Sequence, residues 1–265
     1  MPNFCANLTW LFQEHAFLDR FAAAADAGFT AVEYLFPYDF SADDIAARLS
    51  KHKLKAVLLN VAPGDVAGGE RGLSALPDRK ADFRKAVDQA RIYADTAGAT
   101  RVHLMASIAS GPEALATYKD SIKYTCEKLH DLTVLLEPIN NRDIPGYLMN
   151  DFHLAEQIIT ELKLPNLRFQ FDIYHRQILH GDVMRGLERL MPMIDHMQIA
   201  SVPGRNEPTT GELDDAKVLR AIDAMGYTGY IGCEYKPATT TVGGLGWMKA
   251  FSGPAAKAAA PPSPR

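Results

Sequence analysis

Four segments in the second half of the chain read Thr133-Val-Leu-Leu-Glu137, Arg168-Phe-Gln-Phe-Asp172, Ile194-Asp-His-Met-Gln198 and Tyr230-Ile-Gly-Cys-Glu234. Each is a short run that ends in a side chain with an oxygen donor. Short apolar runs between turn residues read as buried strands. The donor stands at the same end of each run. If the four are parallel neighbours, three carboxylates and one amide converge at one mouth, and an oxygen-rich set of this kind suits a hard divalent cation.

Strand-like and helix-like stretches alternate outward from these four. Earlier strands are expected over residues 4–8, 31–36, 56–61 and 101–106. Helices are expected over residues 14–27, from Ser41, over 79–97 and up to about His130, then over 152–162, 182–191 and 214–225. Ser41-Ala-Asp-Asp44 resembles a capping box with Asp44 in the acceptor place. Alternating βα units predict a parallel sheet covered by helices. Eight units in 265 residues average about 33 each, the size of a (β/α)8 unit. The expected fold is therefore α/β, a (β/α)8 TIM barrel, because a closed barrel gathers successive strand ends around one axis. An open doubly wound sheet would collect ligands at one switch point instead. Residues 1–250 are expected to form one domain, and the Ala/Pro-rich residues 251–265 a disordered tail. Residues 63–79 are Gly-rich and polar, a long loop of the kind that often carries function.

Net charge is −4 and the sequence pI about 6.1, which argues against a general nucleic-acid binder. Cys5, Cys126 and Cys233 are far apart and form no CxxC pair, so neither a disulfide framework nor a thiolate zinc site is expected. The N-terminus lacks signal-peptide features, and no apolar run approaches the ~20 residues of a membrane span. A cytoplasmic protein that does not enter the membrane is the expectation.

Glu137, Asp172 and Glu234 follow apolar residues, where an ionised carboxylate is costly unless paired or coordinated. For any one of them an ion pair with Lys or Arg is the plain alternative. All three together fall at the strand ends where barrel enzymes keep their chemistry. Gln198 gains its meaning by completing the set. His175 stands three residues past Asp172 and is placed to face substrate or to hold a ligand. His103 and His196 lie within strands and are read as structural. Arg71 and Arg205 lie in loops at the mouth, and Lys236 follows Glu234 by two residues. Each is a candidate to clamp a substrate carboxylate, with a solvated loop charge as the alternative for the arginines. Asn7 and Glu33 are read as lining the barrel. Cys233 is read as packing. No GxGxxG or Walker pattern and no Ser-His-Asp arrangement stands out.

The chain resembles the hydroxypyruvate isomerase family, within the xylose isomerase-like barrels that also include ketose 3-epimerases and endonuclease IV. The resemblance rests on Val32-Glu-Tyr-Leu-Phe-Pro-Tyr-Asp39, Ala67-Gly-Gly-Glu-Arg-Gly72, Leu136-Glu-Pro-Ile-Asn140, Phe171-Asp-Ile-Tyr-His175, Gly204-Arg-Asn-Glu-Pro208 and Gly232-Cys-Glu-Tyr-Lys-Pro237, among others. It implies a divalent metal, Mg²⁺ or Mn²⁺, held by Glu137, Asp172, Gln198 and Glu234. It also implies that Glu137 and Glu234 exchange protons with substrate as a donor/acceptor pair. The implied reaction interconverts hydroxypyruvate and 2-hydroxy-3-oxopropanoate (tartronate semialdehyde) through an enediolate. One departure is visible: the loop reads Asn60-Val-Ala-Pro-Gly-Asp-Val, where the family tends to carry Leu-Pro before Gly-Asp and Trp after it. The expected partner is a small oxo or hydroxy acid, with no nucleic acid and no membrane, and a homo-oligomer is compatible with such a barrel. Competing readings are an isomerase of 2-oxo-tetronate, a ketose 3-epimerase, a sugar-acid lyase, a DNA-repair nuclease and a non-catalytic sugar-acid binder.

Overall fold

Eight strands pair in chain order, each parallel to its neighbours, and the last closes on the first. They are β1 (Asn3–Asn7), β2 (Ala31–Tyr34), β3 (Lys55–Asn60), β4 (Arg101–His103), β5 (Thr133–Leu136), β6 (Leu167–Asp172), β7 (Ile194–Ile199) and β8 (Tyr230–Cys233). Among the described residues, eight α-helices of seven residues or more cover the barrel: α1 (Arg20–Asp26), α2 (Ala42–His52), α3 (Lys80–Ala97), α4 (Gly111–Lys128), α5 (Phe152–Leu162), α6 (Ile173–Leu179), α7 (Val183–Leu190) and α8 (Asp215–Ala224). The computed structural model describes residues 1–251. The Ala/Pro-rich tail therefore lies outside the described residues, apart from Phe251. That ring is buried and packs edge-on against Phe4.

Local chemistry explains the boundaries. The Ser41 hydroxyl accepts the Asp44 N–H and opens α2, and left-handed Gly98 closes α3. Strands β2, β3 and β5–β8 are buried along nearly their whole length, since helices cover one face and barrel packing fills the other. Of the expected helix over residues 14–27, a 3-10 turn and α1 form, from Phe17 onward. The Glu14 carboxylate instead accepts the Thr241 N–H at 2.5 Å. The fourth strand ends at His103 rather than 106. Beyond it the backbone turns to meet the 61–76 loop, where the Ala75 N–H donates to the Ala106 carbonyl. Gly72 makes that approach possible: it has φ +110°, and a Cβ there would strike the Met105 backbone. Helix α6 was not expected. It starts directly at Asp172, whose carboxylate caps it by accepting the Tyr174 N–H at 2.7 Å.

Among the described residues no helix is long and apolar enough to cross a membrane.

Candidate active site

The carboxyl ends of the strands surround a cavity of about 170 Å³. Glu137, just past β5, and Glu234, just past β8, both line it, together with His175, Arg205, Arg71 and His103. Larger grooves exist, including one of about 420 Å³ at the opposite end of the barrel, beside Arg101 and Tyr230. That groove carries no comparable convergence of carboxylates.

Asp172 ends β6 and is 1% exposed. One of its oxygens caps α6, while Oδ2 has no hydrogen-bond partner. His175 Nε2 lies 3.6 Å from that oxygen and 3.8 Å from Glu137 Oε1. The Asn140 N–H points at His175 Nδ1 at 3.3 Å, which leaves the ring proton on Nε2, toward the two carboxylates. His175 is thus placed as a donor in the site.

Glu234 is held from three sides. Its Oε2 accepts from Asn7 Nδ2 at 2.9 Å and from Gln198 Nε2 at 2.6 Å, and its Oε1 accepts from Arg205 Nη2 at 2.6 Å. Arg205 has φ +54° and is clamped between aromatic faces, 4.4 Å from the Trp10 ring centre and 4.8 Å from that of Tyr174. Its other amine donates to Asp143 at 2.9 Å. The same Nη2 lies 4.0 Å from Asp172 Oδ2, so the guanidinium stands as the positive charge between Asp172 and Glu234.

Burial raises all three carboxylic acids. It pushes Glu137 well above the usual range, with the charges of Glu234 and Asp172 adding to the shift. It raises Glu234 to about 8 and Asp172 to about 6, although Arg205 opposes both shifts. Burial and the Arg205 charge push His175 far down, and burial with His196 lowers His103 to about 3. Arg205 stays charged, since the carboxylates outweigh its desolvation.

The arrangement fits a divalent cation by its donors. Oxygens of Glu137 and Asp172 lie within 4.8 Å of one another, both buried, and Asp172 Oδ2 is unpartnered, while His175 stands beside them as a hydrogen-bond donor through Nε2. Gln198 differs from the sequence expectation. Its oxygen accepts from Gln170 Nε2 at 2.7 Å, and its nitrogen faces Glu33 and Glu234, because both flanking carboxylates need donors. The amide would have to turn over to present oxygen to a cation.

Of the three basic residues, Arg205 and Arg71 line the cavity. Arg71 spends one amine on the Val66 and Glu70 carbonyls. Lys236 does not join them. Its side chain is exposed and borders a neighbouring cavity beside Gln13 and Thr239. The alternation that would have aligned it with Glu234 lapses where β8 ends at Cys233.

The sequence reading underrated the floor of the site. Glu33 and His196 are fully buried, with His196 Nε2 2.7 Å from Glu33 Oε2, and Gln170 was not singled out. Trp10 and Tyr174, which clamp Arg205, carried no charge or spacing signal. Burial works to raise Glu33, but His196 and the Gln198 and Asn7 amides outweigh it and hold its pKa below the ordinary value.

Comparison with known proteins agrees with this architecture. The family model for the xylose isomerase-like TIM barrel matches residues 21–251. A 2-oxo-tetronate isomerase of Cupriavidus necator is 48% identical over 96% of this chain and 100% of its own length. A hydroxypyruvate isomerase of Escherichia coli is 38% identical over 95% of this chain and 100% of its own. A Brucella melitensis crystal structure described as an AP endonuclease of family 2 superposes with a TM-score of 0.92 at 42% identity, over 95% of this chain and 99% of that one. The chain belongs to the xylose isomerase-like TIM barrel family, as an enzyme of its isomerase branch.

Proposed function

We propose that this enzyme isomerises a short 2-oxo acid, moving a proton from C3 to C2, with 2-oxo-tetronate ahead of hydroxypyruvate as substrate. The observation that carries the proposal is the pair Glu137 and Glu234 at the ends of β5 and β8, facing one small cavity with Arg205 beside them. The sequence alone put the three-carbon acid first. The greater identity to the 2-oxo-tetronate isomerase supports placing the four-carbon acid first.

In both acids the hydrogen leaves C3 and arrives at C2, and the hydroxyl proton passes from O3 to O2. One glutamate takes the C3 proton as general base, and the other delivers a proton at C2 as general acid. Two carboxyl groups from strands three places apart around the barrel, facing one cavity, can address a planar enediolate in this way. The rise of Glu234 to about 8 fits a group that must both hold and release a proton near neutrality, and burial shifts Glu137 in the same direction. A divalent cation, Mg²⁺ or Mn²⁺, bound by Glu137, Asp172, Gln198 and Glu234 would stabilise the negative charge that develops on the two substrate oxygens. His175 donates from Nε2 to that same region. Arg205, held rigid by Trp10 and Tyr174, and Arg71 receive the substrate carboxylate. The apolar wall of Leu35, Phe36, Met105 and Ile139 limits water around the intermediate.

A nuclease reading, prompted by the Brucella structure's description, fits less well. The catalytic groups line a small cavity rather than an open basic face, and net charge is −4. The test is incubation with 2-oxo-tetronate and with hydroxypyruvate, each with Mg²⁺ or Mn²⁺, followed by proton NMR to detect the isomer and by product mass. Isomerisation leaves mass unchanged. Loss of water would replace this reading with a lyase.

A further inference from the structure

Glu33 lies beneath the site, takes no part in the reaction above and is 0% exposed. Its Oε1 accepts from Asn7 Nδ2 at 2.9 Å and from Gln198 Nε2 at 2.8 Å. The same two amide nitrogens donate to Glu234 Oε2, at 2.9 and 2.6 Å. Two carboxylate oxygens and two amide nitrogens thus form a closed four-membered ring of donors and acceptors across β1, β2, β7 and the end of β8. His196 and the Cys5 thiol close on the other oxygen of Glu33, at 2.7 and 3.3 Å.

The backbone is cut to admit this group. A Cβ on Gly232 would collide with the Glu33 carboxylate, so β8 carries glycine where Glu33 crosses it. A buried carboxylate is costly, and a chain that only needed packing there would fill the space with apolar atoms.

We propose that Glu33 is a positioning residue for the reaction: it anchors the Asn7 and Gln198 amides, and through them fixes Glu234 in the rotamer that exchanges protons with substrate. The proposal rests on the reading of Glu234 as an acid/base group. Amide nitrogens that lack Glu33 still bond Glu234, but their direction is then held only from the oxygen side, by Gln170 Nε2 on Gln198 and the Thr9 N–H on Asn7. Glu234 loses orientation rather than its charge, and misorientation is felt in turnover more than in binding.

Two variants test this, Glu33→Gln and the double change Glu33→Gln/His196→Gln. The first breaks a buried pair and is expected to lower Tm. The second replaces both members and is expected to recover part of that loss. Both should lower kcat at least about ten-fold while KM stays within about two-fold. Both should also weaken Mn²⁺ binding, read by electron paramagnetic resonance without substrate, toward the value for Glu234→Gln. Recovery of kcat along with Tm in the double variant would overturn the proposal, as would unchanged Mn²⁺ affinity in both variants. Wild-type protein that turns over neither acid would instead defeat the functional reading, and Mn²⁺ affinity would still decide the role of Glu33.

Discussion

The two halves of the barrel mouth are built from different materials. The β5–β8 half offers Glu137, Asp172, Gln198 and Glu234 at successive strand ends, with His175 behind them. The β2–β4 half offers Leu35, Phe36, Asn60 and Met105 and the loop that bears Pro63, Val66 and Arg71. The first half gathers charge at a cost in folding stability, and the second supplies shape. The contrast implies that substitutions in the first half change whether the reaction happens. Those in the second half change which acid is accepted.

The largest effect should come from Glu137→Gln and Glu234→Gln, each lowering kcat by about 10³-fold or more in steady-state assays. Arg205→Lys should follow. Lysine keeps the charge but loses the fork and the stacking on Trp10 and Tyr174, so kcat/KM should fall about 10- to 100-fold. Asn60→Leu on the other half should be milder. Its Oδ1 is buried without a partner beside the cavity, so the change should alter the ratio of kcat/KM for the four-carbon over the three-carbon acid by several-fold. A loss at Asn60 as large as at Glu137 would break the division of labour.

The smallest effect concerns stability. A carboxylic acid whose pKa is raised on folding stabilises the fold while protonated, and that contribution is lost as pH rises through its folded value. For Glu234 the window runs from its ordinary 4.5 to about 8, and for Asp172 from 3.8 to about 6. Metal-free Tm should therefore lose a few degrees from these groups between pH 5 and pH 8. Mn²⁺ should raise Tm more at pH 8 than at pH 5, since protons and cation compete for the same oxygens. Calorimetry at the two pH values checks both signs.

The same contrast explains what could be read from the sequence. Glu137, Asp172 and Glu234 were legible because an apolar run that stops at a carboxylate is unusual. Glu33 was read as lining the barrel and His196 as structural, but their contact with each other was not legible, because strands buried on both faces show no alternation to tell inward from outward. Register shifts within β2–β3 and β6–β7, between Val32 and Tyr34 and between Phe169 and Gln170, blur that reading further. Helix α6 was hidden because Asp172-Ile-Tyr-His continues a strand-like pattern. Only its cap, which needs the fold, marks the switch. Lys236 was misplaced because strand alternation was carried past the last strand residue.

The most direct test is proton NMR of 2-oxo-tetronate with purified protein and Mg²⁺ or Mn²⁺ in D₂O, with Glu137→Gln and Glu234→Gln alongside. Our account predicts metal-dependent conversion to the 3-oxo isomer by the wild type and none by either variant. Undiminished conversion by either variant would contradict it.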